Sequence, residues 1–592
     1  MQRLHGVPAS PGATRGALAV IVDAELPTGG RIELAAADAE VARLARTAAA
    51  VARSLDVLAA EVAAGGHPDE SAIVAAQAAM ARDPALVSLA ETRIRQGDDA
   101  IAAVRAAGAD LATQLRSLDD ELLAARATDV EDVVSRIAGL LAGLPAERRT
   151  LERPSVVVAR DLAPSVTAGL PRDQLVGIAL EAGSATSHAA ILARAYGIPA
   201  VVGVPGLLAA AGRLTADPGR VAAFTVTVTV DGDTGDVVLD PDAAERVRID
   251  ERIAATATAR DLALAEADLA AVTTDGVEVT LLANIGTPDE SRPAVALGAR
   301  GVGLFRTEFL FIERPTAPTE DEQVAAYRSV VEAFAPGPVT IRLLDVGGDK
   351  PIPYLPIAPE ANPFLGVRAL RLASDRPQVF VTQLRAVMRA TAPGEHGSGA
   401  GRPLGRVKVM APMVADATDV ATLLDLAARA EDSLREDGLP FGHVDLGVML
   451  EIPGAILVAD SFFDRLDFAS LGTNDLLQYT LAVDRGNREL ARYQDSLHPA
   501  LLRLVAESVA ASRRAGIELS VCGEMGGDPL AALALVGLGV RQLSMASSSI
   551  APVRRAIRRA SSRELERAAA DALRLPSAAA VRELFADLPV PA

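Results

Sequence analysis

Gly447-Val448-Met449-Leu450-Glu451 and Phe468-Ala469-Ser470-Leu471-Gly472-Thr473-Asn474-Asp475 are two short apolar runs, each leading into a carboxylate. The same texture recurs throughout the second half of the chain. Strand candidates fall at Glu278–Leu282, Gly301–Phe305, Val339–Leu344, Val407–Met410, Leu446–Leu450, Phe468–Leu471, Glu518–Val521 and Gln542–Met545, with helical stretches between them. Eight strand–helix units in roughly 300 residues predict a closed (β/α)8 TIM barrel, whose chemistry sits at the C-terminal strand ends. Polar groups fall there: Asn284, Arg306, Asp345, Glu451, Asn474, Asp475 and Cys522. Helix capping explains one or two of them, but not a charged or reactive group at most of the strand ends.

Working outward from the barrel, Pro241 to Ala271 reads as a connecting helix. Before it, Val221 to Val230, the turn Asp231-Gly232-Asp233 and Val237 to Leu239 read as a hairpin. Strands are expected at Ala17–Val22, Ser155–Ala159 and Val176–Leu180, with a helix from Ser187 to Tyr196. From about Arg31 to Gly143 the texture is Ala, Leu, Arg and Glu. Leu44, Val51, Leu55, Leu58 and Val62 stand at three- and four-residue spacings, so this stretch predicts an all-helical insert.

Composition narrows the class of function. The chain has 592 residues, 77 Asp and Glu against 58 Lys and Arg, and a net charge of −19. Such a molecule repels phosphate backbones and anionic lipid, so nucleic-acid and membrane-surface partners are not expected. Without Trp, and with 5 Tyr and 12 Phe, extensive aromatic stacking on bases or sugars is not expected either. The longest apolar run, Leu530 to Val540, is short of the ~20 residues that span a bilayer. A single cysteine, Cys522, fits a reducing compartment, and the expected location is the cytoplasm.

Three constellations carry chemistry. Gly183-Ser184-Ala185-Thr186-Ser187-His188 places a histidine in the first turn of a helix, where free N–H groups and the helix dipole favour an anion. Glu451 and Asp475 follow adjacent barrel strands, and such a pair suits a hard, oxygen-preferring cation, Mg²⁺ above Zn²⁺. The plain alternative for the pair is salt bridges to barrel arginines. Arg306, Arg342, Arg368 and Arg485 converge on the same mouth, and an arginine fork recognises phosphate and carboxylate bidentately. A metal plus several arginines describes a small, multiply charged anion. Cys522 follows the seventh strand, where a thiol can donate a proton.

Together these residues resemble enzyme I of the bacterial sugar phosphotransferase system, the phosphoenolpyruvate–protein phosphotransferases. The resemblance covers almost the whole chain. It rests on Gly183 with Thr186-Ser187-His188, on Gly301-Val302-Gly303-Leu304-Phe305-Arg306-Thr307-Glu308-Phe309, and on Asp345-Val346-Gly347-Gly348-Asp349-Lys350. Further matches are Gly472-Thr473-Asn474-Asp475-Leu476 with Tyr479-Thr480, Ala482-Val483-Asp484-Arg485-Gly486-Asn487, and Cys522-Gly523-Glu524.

The resemblance implies that His188 is phosphorylated by phosphoenolpyruvate, which Arg306, Arg342, Asn474, Asp475 and Arg485 would bind. Glu451 and Asp475 would hold Mg²⁺, Cys522 would protonate the pyruvate enolate, and the phosphoryl group would pass on to the carrier protein HPr. It implies a phosphohistidine α/β domain from residues 1–21 and 149–240, an HPr-docking helical domain at 22–148, and a linker helix at 241–271. A barrel that binds substrate and forms a homodimer would occupy 272–575, with a tail at 576–592. Ser184 and Ala185 stand where the family usually has a glycine pair, and Pro393 to Gly405 reads as an extra loop. A pyruvate phosphate dikinase or phosphoenolpyruvate synthase relative would share the histidine domain and the barrel but needs an ATP-binding domain. A non-catalytic signalling scaffold would be expected to have lost the site residues.

Overall fold

The computed structural model describes the chain except for residues 22–25, 65–67, 117–120, 145–150, 152, 163–165, 167–168, 184–188, 191–192, 195–196, 216–225, 313, 315, 348–351, 353, 359, 393–403, 485–486 and 589–592. It divides into two compact units, Met1–Ala259 and Arg260–Ala592.

In the first unit, helices Ala37–Ala64, Pro68–Met80, Pro84–Arg95, Ala100–Arg116 and Glu121–Leu141 follow one another. Leu44, Val51, Leu55 and Val62 are buried, as the three- and four-residue spacing requires of one helical stripe. The same unit holds a mixed sheet in the order Gln2–His5, Asp236–Leu239, Thr227–Asp231, Ala13–Ile21, Ser155–Ala159, Leu175–Leu180, Ala200–Val202 and Val7–Ser10. Ala17 pairs with Ser155 in parallel register, so the chain leaves the sheet, forms the helices and returns beside the strand it left. The expected hairpin is present as Thr227–Asp231 against Asp236–Leu239, while Val221 to Thr225 lie outside the described residues. Of the helix expected from Ser187 to Tyr196, Ala189, Ala190, Ala193 and Arg194 are described, and they are helical.

In the second unit, eight parallel strands run at Glu278–Ile285, Val302–Phe305, Val339–Arg342, Val407–Ala411, Asp445–Leu450, Phe468–Leu471, Glu518–Val521 and Gln542–Met545. Each pairs with the next, and the first pairs with both the second and the eighth, so the sheet closes into the expected barrel. The second to fourth and the sixth are buried along their whole length, which explains why apolar residues dominate them on both faces, with Thr340, Arg342, Lys408 and Ser470 as the exceptions.

Two features depart from expectation. Ala271–Val272 adds a short antiparallel strand to the first barrel strand. Residues 576–592, expected as a tail, instead contain the helix Ala578–Ala586, whose Val581 and Phe585 belong to the barrel's apolar core. Ser577 caps that helix by accepting from the Ala580 N–H. Among the described residues, no helix is long and apolar enough to cross a membrane.

Candidate active site

The C-terminal ends of the barrel strands surround a cavity of about 580 Å³. Arg306, Arg342, Glu451, Asn474, Asp475 and Cys522 all line it, together with Asp345 and Arg368. They come from five strands and the segments that follow them, so closure of the barrel assembles the group.

A buried ion network forms one wall. Arg342 is 7% exposed; its Nη2 donates to Glu308 Oε1 at 2.6 Å and its Nη1 lies 3.2 Å from Asp345 Oδ2. Burial disfavours the Arg342 charge, but Glu308, Asp345 and Glu451 outweigh that penalty and its pKa is raised. Arg368 grips Asp345 from the other side, with Nη2 donating to both carboxylate oxygens at 3.0 and 2.9 Å. Asp345 thus holds two guanidinium groups in fixed positions. Glu308 Oε1 also accepts from the Asp345 N–H at 3.1 Å. Arg306 differs. It lines the cavity and makes no side-chain hydrogen bond or ion pair among the described residues.

Glu451 and Asp475 bring two carboxyl groups together in the same cavity. Glu451 is 1% exposed, and its Oε1 accepts from the Met413 N–H at 2.5 Å. Its Oε2 is buried with no hydrogen-bond partner among the described residues. Burial first, then the charges of Asp475 and Asp345, push the Glu451 carboxyl up to about 8. The salt-bridge alternative fits Asp475 weakly, since Arg368 Nη1 is 3.9 Å from its Oδ1. For Glu451 no ion pair forms among the described residues. A buried carboxylate with a spare oxygen beside a second carboxylate suits a hard divalent cation whose other ligands are water or substrate oxygens. Among the described residues no cluster of three protein ligands occurs, as Mg²⁺, which needs few protein ligands, does not require one.

Local backbone supports this placement. Met413 and Ala369 are non-glycine residues in the left-handed region, at φ 58° and 55°, a conformation that persists where surrounding structure imposes it. The first aims its N–H at Glu451, and the second follows Arg368. Gly472 admits no side chain: a Cβ there would lie 2.9 Å from Met449 Sδ and 3.1 Å from Glu451 Oε2.

Cys522 is 2% exposed, and burial pushes its thiol up to about 11. Its N–H donates to the Leu471 carbonyl at 3.0 Å, and its own carbonyl accepts from Asn284 Nδ2 at 2.9 Å. Asn284, expected among the strand-end polar groups, therefore acts as a strut behind the thiol. Asn474 Oδ1 accepts from the Glu524 N–H at 2.9 Å, which leaves its amide nitrogen to donate elsewhere. Glu308, Met413 and the strut role of Asn284 escape sequence reasoning. Only the Arg-Thr-Glu run at 306–308 signalled the first of them.

His188 lies outside the described residues, with Ser184 and Ala185 of the same loop, and so does Arg485. Of the extra loop expected at Pro393 to Gly405, residues 393–403 lie outside them too.

Comparison with known proteins covers nearly the whole chain. Residues 261–562 match the PEP-binding domain of PEP-utilising enzymes, residues 151–235 their mobile domain, and residues 5–126 their N-terminal domain. A phosphoenolpyruvate-protein phosphotransferase of Streptomyces coelicolor is 42% identical over 98% of this chain and 98% of its own. One of Geobacillus stearothermophilus is 36% identical over 95% and 94%. A multiphosphoryl transfer protein of Rhodobacter capsulatus is 39% identical over 90% of this chain and 61% of its own. With all three domain types in order and the two phosphotransferases matched along nearly their whole length, the chain belongs to the PEP-utilising enzymes and, among them, to the phosphoenolpyruvate-protein phosphotransferases.

Proposed function

We propose that phosphoenolpyruvate binds in the barrel mouth, that its phosphoryl group passes to His188 and then to a histidine of HPr, and that pyruvate leaves. The observation that carries this reading is the charge layout of one cavity. The buried carboxyls of Glu451, which keeps a spare oxygen, and Asp475 share the cavity with guanidinium groups, one of which, Arg306, has no ion-pair partner among the described residues. A small anion bearing both phosphate and carboxylate complements that layout better than a neutral ligand does. Arg306, Arg342 and Arg485 hold the phosphate and carboxylate oxygens, and Asn474 donates to one of them. Phosphoryl transfer needs mainly positioning and charge neutralisation, which these groups supply.

Glu451 and Asp475 would hold Mg²⁺, which when bound adds charge stabilisation of the transferring phosphoryl group and of the enolate left behind. The imidazole of His188 attacks in its neutral form, the dominant one at pH 7 for an ordinary histidine of pKa ~6.5. Cys522 delivers a proton to the methylene carbon of the enolate; its raised pKa keeps the thiol charged with that proton at neutral pH. The enzyme works in the cytoplasm as a dimer through the barrel, with residues 1–21 and 149–240 carrying His188 and residues 22–148 docking HPr.

Incubation with labelled phosphoenolpyruvate and Mg²⁺, without ATP, tests this. The expected result is an acid-labile, alkali-stable phosphoryl group on His188 that moves to added HPr. Label on another residue, full labelling of His188→Ala, or a requirement for ATP overturns it.

A further inference from the structure

Proton donation leaves Cys522 as a buried thiolate, and the group must be recharged before the next turnover. Leu304, Met410, Met449 and Phe468 pack around it as one apolar cluster, and the mouth side is where substrate sits. The Cys522 thiol donates to the Leu471 carbonyl at 3.6 Å, and beside it on the interior side stands a pair of hydroxyls. The Ser470 hydroxyl acts on the Cys522 thiol, opposing the effect of its burial, and Ser520 Oγ donates to Ser470 Oγ at 2.9 Å. Ser470 and Ser520 stand directly opposite each other on the sixth and seventh strands. Ser520 and Cys522 are two residues apart on one strand, so their side chains leave the same face.

Ser470 is fully buried, whereas Ser520 retains 8% exposure. Two residues further back on that face, Glu518 pairs with Lys408 and with Arg406 Nη1, whose side chain is 60% exposed. Polar groups thus run from the water-exposed floor of the barrel toward the thiol.

We infer that the Ser520–Ser470 hydroxyl pair is a proton relay that recharges Cys522 from the barrel interior. This rests on the reading of Cys522 as the enolate's proton donor. The S–H bond of Cys522 breaks as a C–H bond forms on the enolate. The thiolate then takes the Ser470 hydroxyl proton, Ser470 takes that of Ser520, and Ser520 takes one from water, leaving both hydroxyls restored and a hydroxide for the buffer to neutralise. Burial that holds the thiol up to about 11 gives the thiolate a strong pull on that proton. Neither serine touches substrate; both act through Cys522.

The test separates the first turnover from later ones, by rapid-quench measurement of pyruvate with excess phosphoenolpyruvate, Mg²⁺ and HPr. Cys522 starts protonated, so Ser470→Ala and Ser520→Ala should form the first equivalent of pyruvate at the wild-type rate. Their steady-state rate should then fall by at least about tenfold, a modest share of what positioned proton transfer contributes. Each change removes one oxygen and no carbon, and thermal unfolding checks the fold. Ser520→Thr, which keeps a hydroxyl, should restore the steady state. Unchanged steady-state rates, or first and later turnovers slowed alike, overturn the relay. Cys522→Ala should slow the first turnover itself. If it does not, the proton-donor reading has failed, and the relay fails with it.

Discussion

Met413 holds one oxygen of Glu451 while the other is buried with no hydrogen-bond partner among the described residues, so Glu451→Ala removes an oxygen ligand already positioned for a cation. Glu451→Ala and Asp475→Ala should each abolish Mg²⁺-dependent phosphorylation, at a barrier cost on the order of several kcal/mol. Circular dichroism should stay unchanged, because mouth residues contribute little to barrel stability; near-normal turnover at saturating Mg²⁺ counts against the assignment. Cys522 makes a pH prediction. A thiol raised to about 11 stays protonated through the region where an ordinary one, near ~8.5, ionises, so its donor ability is lost only as pH rises toward the higher value. The rate of pyruvate formation should therefore show no Cys522-dependent fall near pH 8.5; such a limb, absent from Cys522→Ala, would count against the buried donor. At this scale the sequence was legible where a residue follows a strand, as Arg306, Glu451 and Cys522 do. What it could not reveal are partnerships across the barrel. That Glu308 and Asp345 hold Arg342, or that Asn284 braces the carbonyl of Cys522, depends on residues far apart in sequence that barrel closure brings together.

The eight barrel strands begin and end within a few residues of the positions read from sequence, because a parallel strand buried on both faces leaves a short, mainly apolar run bounded by helices. Short elements without that signature were missed. Gln2–His5 carries charged and polar residues to the edge of its sheet, and Ala271–Val272 is too short for any period to emerge. The C-terminal helix was legible in principle: Ser577 as its cap, with Val581 and Phe585 four residues apart on one face. Phe585 is 1% exposed among barrel core residues, so Phe585→Ala should cost about 3–5 kcal/mol of stability by urea denaturation. A change below about 1 kcal/mol, within the range of surface substitutions, would mean that the helix is peripheral to the barrel. Gly472→Ala tests the mouth instead. Its Cβ would crowd Met449 and Glu451, so phosphorylation should fall while the urea midpoint moves little.

The whole molecule divides near Ala259, inside the helix Ala243–Ala265, and the proposed phosphoryl acceptor and the proposed substrate site fall on different sides of that division. A fragment ending at Ala259 should fold, accept a phosphoryl group on His188 from phosphorylated HPr, and stay inert toward phosphoenolpyruvate at any Mg²⁺ concentration. The complementary fragment from Arg260 should bind phosphoenolpyruvate, by calorimetry, without ever being labelled. Reaction of the first fragment with phosphoenolpyruvate would overturn that division of labour. Sequence texture could separate a helical region from a barrel, but not show that Ile21 and Ala159 lie side by side, since pairing across so long an excursion leaves no local trace. Barrel closure has a consequence in time. The first strand, Glu278–Ile285, completes its pairing only with Gln542–Met545, near the end of the chain. At about 5–20 residues per second on the ribosome, that edge waits unpaired for on the order of tens of seconds after it is made. The preceding unit can fold meanwhile, but the nascent barrel is an open sheet with exposed edges, and chaperone demand during synthesis falls on this half of the protein.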